Sequence, residues 1–260
     1  MIEVASLRYG VIFKKAFSQP PIFTAFVKDI LGIEIEIDKV ETEKSFSPTV
    51  GNVDSRFDLF AEDKKNRIIV DIQHKRYSDH YDRFLHYHCI ALLEQISSAT
   101  NYRPKMDVYT IVVLTSGDKY KTDISITDFR PRKLDGTFIP ETRHKIVHLC
   151  PKYVNDKTPS PHKEWLSAIN DSLDHQVEET DYKNKMIQRV FSTIKKNKTT
   201  PQEYARMKDE YSEEEYLRDQ KKEAKMEEKI KIAKAMLKEG IDFKLISKIT
   251  GFSKQALQKF

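Results

Sequence analysis

The sequence of 260 residues is 39% hydrophobic and 33% charged, and its 45 basic and 40 acidic residues leave a net charge of +5. This length and apolar content can supply a sizeable core, which excludes a wholly disordered protein, and the small charge excess permits nucleic-acid binding without requiring it. Two cysteines, Cys89 and Cys150, exclude a disulfide framework, and no uncharged apolar run approaches the length of a membrane span, so we expect a cytoplasmic protein that does not enter a membrane.

The first third of the chain combines helical and strand patterns. Residues 18–31 begin with a serine and two prolines and space their apolar residues as an amphipathic helix does. Residues 35–46 mix polar and apolar positions, and we interpret them as a strand. Residues 56–75 contain two apolar runs and predict a β-hairpin that turns at Lys64 and Lys65.

The pattern after the hairpin predicts one helix and further strands. Residues 79–96 keep a helical period, with Ser78 or Asp79 as the N-cap. Residues 108–114 are rich in β-branched side chains and predict a buried strand, and residues 146–149 predict another. This order indicates an α/β fold.

The second half of the chain predicts mainly helices. We place a boundary near residue 152, which separates a core of residues 1–152 from a helical region, residues 153–203, that packs on it. Residues 204–238 are highly charged and nearly free of helix breakers, which predicts a long exposed helix. Its narrow apolar seam suits packing against a partner helix, so we expect that residues 204–238 can bring two copies of the chain together; the seam is formed by Met226, Ile230, Ala233 and Leu237.

The last twenty residues predict two short helices joined by a turn. A Thr250-Gly251 turn and Ser253 as an N-cap give a pattern that resembles half of a helix-turn-helix. From Lys221 onward, eleven lysines stand against five acidic residues, a local net charge of +6. The second helix could dock in a DNA groove, or it could be a packing module that supports self-association. Its candidate DNA contacts are Lys254, Gln255 and Gln258.

The hairpin places an acidic residue in each apolar run. With a two-residue turn, paired residue numbers sum to 129, so Asp58 lies opposite Asp71. Two facing carboxylates need a shared proton or a cation, and their oxygens suit magnesium, with manganese as an alternative. Gln73 and Lys75 follow Asp71 on the same face by the strand period. This set of residues indicates metal-assisted hydrolysis of a phosphodiester.

Two other interpretations are compatible with these residues. The two aspartates could face solvent on an open sheet, paired with Arg56, Arg67 or Lys75. A zinc site could use the histidines of residues 74–88, although no thiol pair or HExxH motif accompanies them. Those histidines are His74, His80, His86 and His88.

The combined pattern resembles the PD-(D/E)XK nuclease superfamily and, more closely, the Rpn family of recombination-promoting nucleases, also called PD-(D/E)XK nuclease family transposases. Asp58 is followed, after twelve residues, by Asp71-Ile72-Gln73, and then by a helix that carries Arg83 and Tyr87. The resemblance extends over most of the chain. It also includes residues 12–17 near the start (IFKKAF), the Trp165-Leu166 helix, the charged helix and the ending around residues 235–253.

The resemblance implies a magnesium-dependent DNA endonuclease with a restriction-endonuclease-like core, in which a mixed central sheet is flanked by helices, and with a helical C-terminal extension. Asp58 and Asp71 would match the acidic positions of the motif and hold the metal, and Gln73 would match its lysine position. A glutamine can orient water but carries no charge, so Lys75 or Arg83 would supply the positive charge. Relatives often have an acidic residue shortly before the Phe-Lys pair, where this chain has Gly10 and Val11.

Further candidate residues lie on the two helices beside the hairpin. Arg83 and Tyr87 are one helical turn apart, so Arg83 could hold a phosphate or orient Asp71 while Tyr87 bonds in the same cluster. Lys14 and Lys15 could contact a DNA backbone, or they could form the wet face of their helix. We therefore expect a DNA endonuclease of low sequence specificity, with a non-catalytic DNA-binding or assembly protein as the alternative.

Overall fold

A computed structural model describes residues 1–46, 55–75, 77, 79–96 and 101–259. The chain divides into two compact units, Met1–Tyr204 and Ala205–Phe260. The predicted boundary near residue 152 lies inside the first of these units and stays a prediction.

The first unit contains both strands and helices. The strands are β1 (Ile2–Glu3), β2 (Glu41–Phe46), β3 (Ser55–Glu62), β4 (Asn66–Gln73), β5 (Asp107–Leu114), β6 (Ile124–Asp128), β7 (Lys145–Leu149) and β8 (Gln176–Val177). The helices are α1 (Gly10–Phe17), α2 (Pro20–Leu31), α3 (His80–Leu93), α4 (His162–Asp171), α5 (Lys185–Ile194) and the start of α6 (Pro201–Lys238). Short 3-10 turns lie at Pro151–Tyr153, Ser172–Asp174, Glu179–Asp181 and Lys196–Lys198.

Within the described ranges, β2 to β7 form a mixed sheet of six strands in the order β2-β3-β4-β5-β7-β6. β2, β3 and β4 are antiparallel neighbours, β4, β5 and β7 are parallel, and β6 returns antiparallel at the far edge. β5 is buried along nearly its whole length, as expected for a strand between two parallel neighbours.

Apolar side chains from the helices cover the sheet. α3 packs on β5 and β7, where Phe84 and Tyr87 join a cluster with Phe57, Val112 and other strand residues. α1 packs against β3, β4, α2 and α5. The Trp165 ring of α4 lies 5.9 Å from the Phe17 ring of α1 and 5.1 Å from the Phe26 ring of α2 (centroid distances). The predicted α/β core with flanking helices is therefore confirmed.

The second unit contains most of α6 together with α7 (Phe243–Thr250) and α8 (Lys254–Leu257). Ala233, Ile246 and Leu257 form its small buried core. Ser253 caps α8 by accepting a hydrogen bond from the Ala256 amide, and Gly251 adopts the left-handed conformation (φ 79°) that ends α7.

Several predicted elements have different bounds in the structure. The strand expected over residues 35–46 begins only at Glu41, and the helix expected over residues 79–96 spans His80–Leu93. Asp79 takes the N-cap position, where the structure describes no side-chain capping bond, and Ser78 lies outside the described residues. β6 was not predicted from the sequence.

The seam on α6 is used in part by the chain itself. Ala233 and Leu237 pack in the cluster with Ile246 and Leu257, so the end of the seam that was predicted to meet a partner helix contacts α7 and α8 instead. Met226, further toward the start of the seam, is 50% exposed. Self-association through residues 204–238 stays a prediction.

Candidate active site

The β3-β4 hairpin brings Asp58 and Asp71 together. Its pairs from Leu59↔Val70 to Glu62↔Arg67 confirm the predicted register, in which residue numbers sum to 129. Beyond Leu59 the ladder changes, because each carboxylate accepts a hydrogen bond from the backbone of the other strand. The Asp58 amide donates to Asp71 Oδ1 and the Ile72 amide donates to Asp58 Oδ2, each at 3.0 Å. The two carboxylates thus replace the backbone carbonyl groups between these strands.

Asp71 is the more deeply buried of the two acids, with 5% of its surface exposed. Its Oδ2 atom is buried and has no hydrogen-bond partner among the described residues. Burial, and then the nearby Asp58 carboxylate, raise the pKa of Asp71 well above its usual value, against the opposing effects of the Asp58 amide, Arg83 and Lys14. An ionised Asp71 therefore needs a further positive charge close to it.

A third carboxylate and an ammonium group stand beside Asp58. The β2-β3 pairs on either side, Thr42↔Leu59 and Lys44↔Phe57, place Glu43 opposite Asp58 in the register. The Lys14 ammonium group lies 3.4 Å from Asp58 Oδ1 and also donates to the Glu43 carboxylate. Burial lowers the pKa of Lys14, but these carboxylates offset that effect and leave the pKa raised.

Glu43 was not predicted from the sequence. For Lys14 the sequence left open a DNA contact or the wet face of its helix, and in the structure Lys14 contacts the carboxylates of Asp58 and Glu43. A contact of Lys14 with DNA stays a prediction. Glu43 has a φ of 57°, a left-handed conformation that is uncommon for a residue with a side chain. A local reading of the sequence gives no signal for this kink, but the register of β2 on β3 would have revealed the position of Glu43.

Gln73 and Lys75 were both expected on the face of Asp71. Gln73 ends β4 and is 8% exposed, and both its amide atoms are buried without a hydrogen-bond partner among the described residues. Lys75 lies two residues beyond the strand, so the alternation of strand side chains does not determine where it points. Its place on that face stays a prediction.

Arg83 and Tyr87 share one face of α3, as the sequence predicts. The Arg83 guanidinium donates to the Tyr87 hydroxyl at 3.1 Å, and Arg83 is close enough to Asp71 to oppose the rise in its pKa. Tyr87 is 9% exposed and packs edge-on against Phe57. Tyr87 is therefore both a core residue and a hydrogen-bond partner of Arg83.

The other predicted DNA contacts are Lys15 in the first unit and three residues on or beside α8 in the second. Lys15 donates to the Lys198 carbonyl at 2.6 Å and to Glu203 at 2.8 Å, and its predicted DNA contact stays a prediction. Within the second unit, the α8 residues expected to face outward are all exposed, namely Lys254, Gln255 and, just past the helix, Gln258.

The register partners of Asp71 form a row of residues that crosses the rest of the sheet. Val112 of β5 is the register partner of Asp71, His148 of β7 is the partner of Val112, and Ser125 of β6 is the partner of His148. The Tyr81 ring of α3 lies 4.3 Å from the His148 ring (centroid distance) at a tilt of 46°, and the Tyr81 hydroxyl bonds to Ser125 at 3.2 Å. Burial, followed by nearby His80, lowers the pKa of His148 to about 4.

The hairpin acids are suited to a hard divalent cation. Asp58 and Asp71 offer carboxylate oxygens, and the buried Asp71 Oδ2, which has no partner within the described ranges, is an atom that a cation would satisfy. No group of three or more histidine, cysteine or acidic side chains is arranged as metal ligands in the described part of the chain, so the zinc interpretation gains no support. A cation here would complete its coordination with water.

No helix among the described residues is both long enough and apolar enough to cross a bilayer.

Residues 8–227 match the family model described as PD-(D/E)XK nuclease family transposase. Residues 226–260 match a second model, the C-terminal HTH domain of the Rpn/YhgA-like nuclease family, a type of domain that suggests DNA binding. A comparison with curated proteins found no match. Together, the two family matches and the mixed sheet with its acidic hairpin establish that this chain belongs to the Rpn family of PD-(D/E)XK nuclease family transposases.

Proposed function

We propose that the chain is a metal-dependent endodeoxyribonuclease that hydrolyses phosphodiester bonds with low sequence specificity, in association with transposition or recombination. The observation that carries the proposal is the Asp58 and Asp71 pair at the point where β3 and β4 stop pairing regularly. Asp71 is buried there, and one of its oxygen atoms has no partner in the described part of the chain. Two acids in this arrangement are costly for the fold unless they share a proton or a cation joins them, and a cation would serve both acids at once.

Asp58 and Asp71 would hold magnesium, or alternatively manganese, through their carboxylate oxygens. Such an ion lowers the pKa of a bound water and neutralises charge on the phosphate. The preference for magnesium follows from the all-oxygen character of the pair.

The neighbouring residues would act on water and on the DNA phosphate. The Gln73 amide, buried and without a partner among the described residues, can accept a hydrogen bond from the attacking water and orient it. The Arg83 guanidinium would contact the phosphate, and its bond to the Tyr87 hydroxyl fixes its direction. Lys75 would add positive charge at the rim of the site.

The C-terminal helices would contribute DNA affinity. Lys254, Gln255 and Gln258 are exposed on α8 or beside it, and the lysine-rich end of the chain can release counterions from the DNA backbone. Backbone attraction of this kind does not distinguish sequences, which agrees with the low specificity that we propose.

A second candidate function is DNA binding or assembly without catalysis. Gln73 at the lysine position of the motif favours it, because a neutral amide cannot stabilise developing negative charge as an ammonium group does. A protein of this second kind would bind DNA in EDTA and break no strand.

Conversion of supercoiled plasmid to nicked and linear forms tests the proposal. We expect cutting by the wild type in magnesium or manganese, none in EDTA, and a loss of roughly a hundredfold or more in Asp71→Asn, which keeps the shape of the side chain but weakens metal binding. Asp156→Asn, which alters an exposed ion pair with Lys163, should cut like the wild type. A folded wild type that cuts in neither metal would favour the second candidate.

A further inference from the structure

The proposed site needs a positive charge that Gln73 cannot provide. Gln73 occupies the position that a lysine has in the superfamily motif, and its amide is neutral. The positive charge must therefore come from a residue outside the motif that the fold brings to the acid pair.

Lys14 brings an ammonium group to the acid pair from a different element. It lies 3.4 Å from Asp58 Oδ1 and donates to Glu43, and its side chain is only 18% exposed. Its helix is fixed by buried apolar residues on either side of it in the sequence, Phe13 and Phe17, whose rings stack at 4.2 Å. This anchoring holds the start of the Lys14 side chain beside β3.

The ammonium group retains capacity for a substrate. It has three N–H donors, of which the carboxylates of Asp58 and Glu43 engage two. The third can donate to a phosphate oxygen of DNA bound at Asp58 and Asp71.

The Glu43 carboxylate accepts a hydrogen bond from Lys14 and so holds its ammonium group beside Asp58. The positive φ of Glu43 interrupts the regular pairing of β2 with β3 at the level of Asp58. Its carboxylate contacts Lys14 and also Arg56, whose Nε lies 2.8 Å away. These two contacts fix the carboxylate on the side of Asp58 where Lys14 arrives.

We propose that Lys14 is the catalytic cation of this site, in place of a lysine at position 73, and that Glu43 is the positioning residue that holds it against Asp58. The proposal rests on the proposed endonuclease function. In the absence of DNA, the Lys14 ammonium pairs with Asp58 and so competes with a metal for that carboxylate. When DNA is bound, the Lys14 ammonium group contacts its phosphate and stabilises the negative charge that develops there during cleavage.

Four variants of the full chain test the proposal. Lys14→Met keeps the length of the side chain and removes its charge, and we expect kcat for nicking of a labelled duplex to fall roughly a hundredfold. Lys14→Arg should retain more activity than Lys14→Met. The double variant Lys14→Met with Gln73→Lys returns a lysine to the motif position, and we expect it to regain roughly tenfold or more in kcat. Lys28→Met, which breaks an exposed pair with Glu34, is the charge-matched control.

A second measurement does not depend on cleavage. Calorimetric titration of magnesium without DNA should show tighter binding to Lys14→Met than to the wild type, by about three- to tenfold, because Asp58 has lost its competing partner. Glu43→Gln should lower kcat by roughly tenfold and leave KM unchanged. Glu41→Gln, on the same strand, should leave both unchanged.

The outcomes separate this proposal from the proposed function. A folded wild type that cuts no DNA overturns both. If the wild type cuts and Lys14→Met cuts equally well, only the role of Lys14 is overturned. If Lys14→Met loses activity but Gln73→Lys restores none of it, or if magnesium affinity is unchanged, Lys14 is a structural residue and the proposal is likewise wrong.

Discussion

At the scale of single residues, a buried histidine links stability to pH. His88 is fully buried in α3, its ring stacks on Phe129 with centroids 5.0 Å apart, and its Nδ1 lies 2.9 Å from Thr110 Oγ1. Burial, followed by nearby His144, lowers the pKa of His88 from 6.5 to about 3. A group whose pKa is lower in the folded state stabilises the fold above its unfolded pKa, and this contribution is lost as the pH falls toward the folded value.

We therefore expect His88 to reduce the free energy of unfolding by about 2 kcal/mol between pH 7 and pH 5. His88→Gln removes the titrating group. Between pH 7 and pH 5, the free energy of unfolding should therefore fall by about 2 kcal/mol less in this variant than in the wild type. Urea denaturation at both pH values measures the difference. His86→Gln, an exposed position on the same helix, is the control, and parallel curves for wild type and His88→Gln would contradict the prediction.

The candidate residues differ in how far the sequence could predict them. Asp58 and Asp71 were predictable because a short turn and the period of two fix which residues of a hairpin face each other. Lys14 and Glu43 were not, because their meeting depends on the packing of α1 and on a kink in β2. Neither of these is encoded in a local pattern.

At the scale of elements, Arg67 joins the hairpin to the end of α3. It is 5% exposed, donates to the Ala91 carbonyl at 2.7 Å, and pairs with Glu94 at 2.7 Å and with Glu62. Its guanidinium also lies 5.1 Å from the centre of the Phe46 ring. The planar, multidentate shape of arginine makes all these contacts possible at once.

Replacement of Arg67 should separate these elements. We expect Arg67→Met to lower the free energy of unfolding by about 3 kcal/mol, because the Ala91 carbonyl and two carboxylates lose a shared, partly buried partner. Arg67→Lys should recover only part of the loss. Arg56→Met, at an exposed position of the same hairpin, serves as the control in urea denaturation. Equal stability of Arg67→Met and wild type would show that the contacts contribute little.

The elements themselves were predictable where the pattern was long or strongly periodic. The long helix α6 follows from a charged stretch without breakers, and β5 follows from its β-branched run. β6 is short and mostly polar because it lies at the sheet edge, so its sequence resembles a loop. The strand expected from residue 35 starts only at Glu41 because pairing with β3, rather than local preference, determines where it begins.

At the scale of the whole molecule, the basic excess is concentrated at the C-terminal end. Eleven lysines and five acidic residues follow position 220, whereas the remainder of the chain is close to neutral. Electrostatic attraction to DNA should therefore depend mainly on the second unit, while the candidate acids belong to the first.

A chain that ends at Tyr204 tests this division. We expect it to unfold cooperatively, to retain cleavage at high enzyme concentration, and to bind DNA roughly tenfold or more weakly with a flatter dependence on salt, because fewer counterions are released. Fluorescence anisotropy from 50 to 200 mM salt measures the affinity. An undiminished affinity and salt dependence in the shortened chain would assign DNA binding to the first unit.

The pairing of neighbouring strands in one register has a practical consequence for preparing the protein. Asp71, Val112, His148 and Ser125 lie side by side in this register. Slippage of β4 by one residue would turn Asp71 to the opposite face and break its bond with the Asp58 amide, yet would leave the helix and strand content almost unchanged. Far-ultraviolet circular dichroism would not distinguish such a molecule from the native one. Under the proposed endonuclease function, turnover per mole of protein would measure how much of a preparation has the native strand pairing, and refolding protocols should be compared by it.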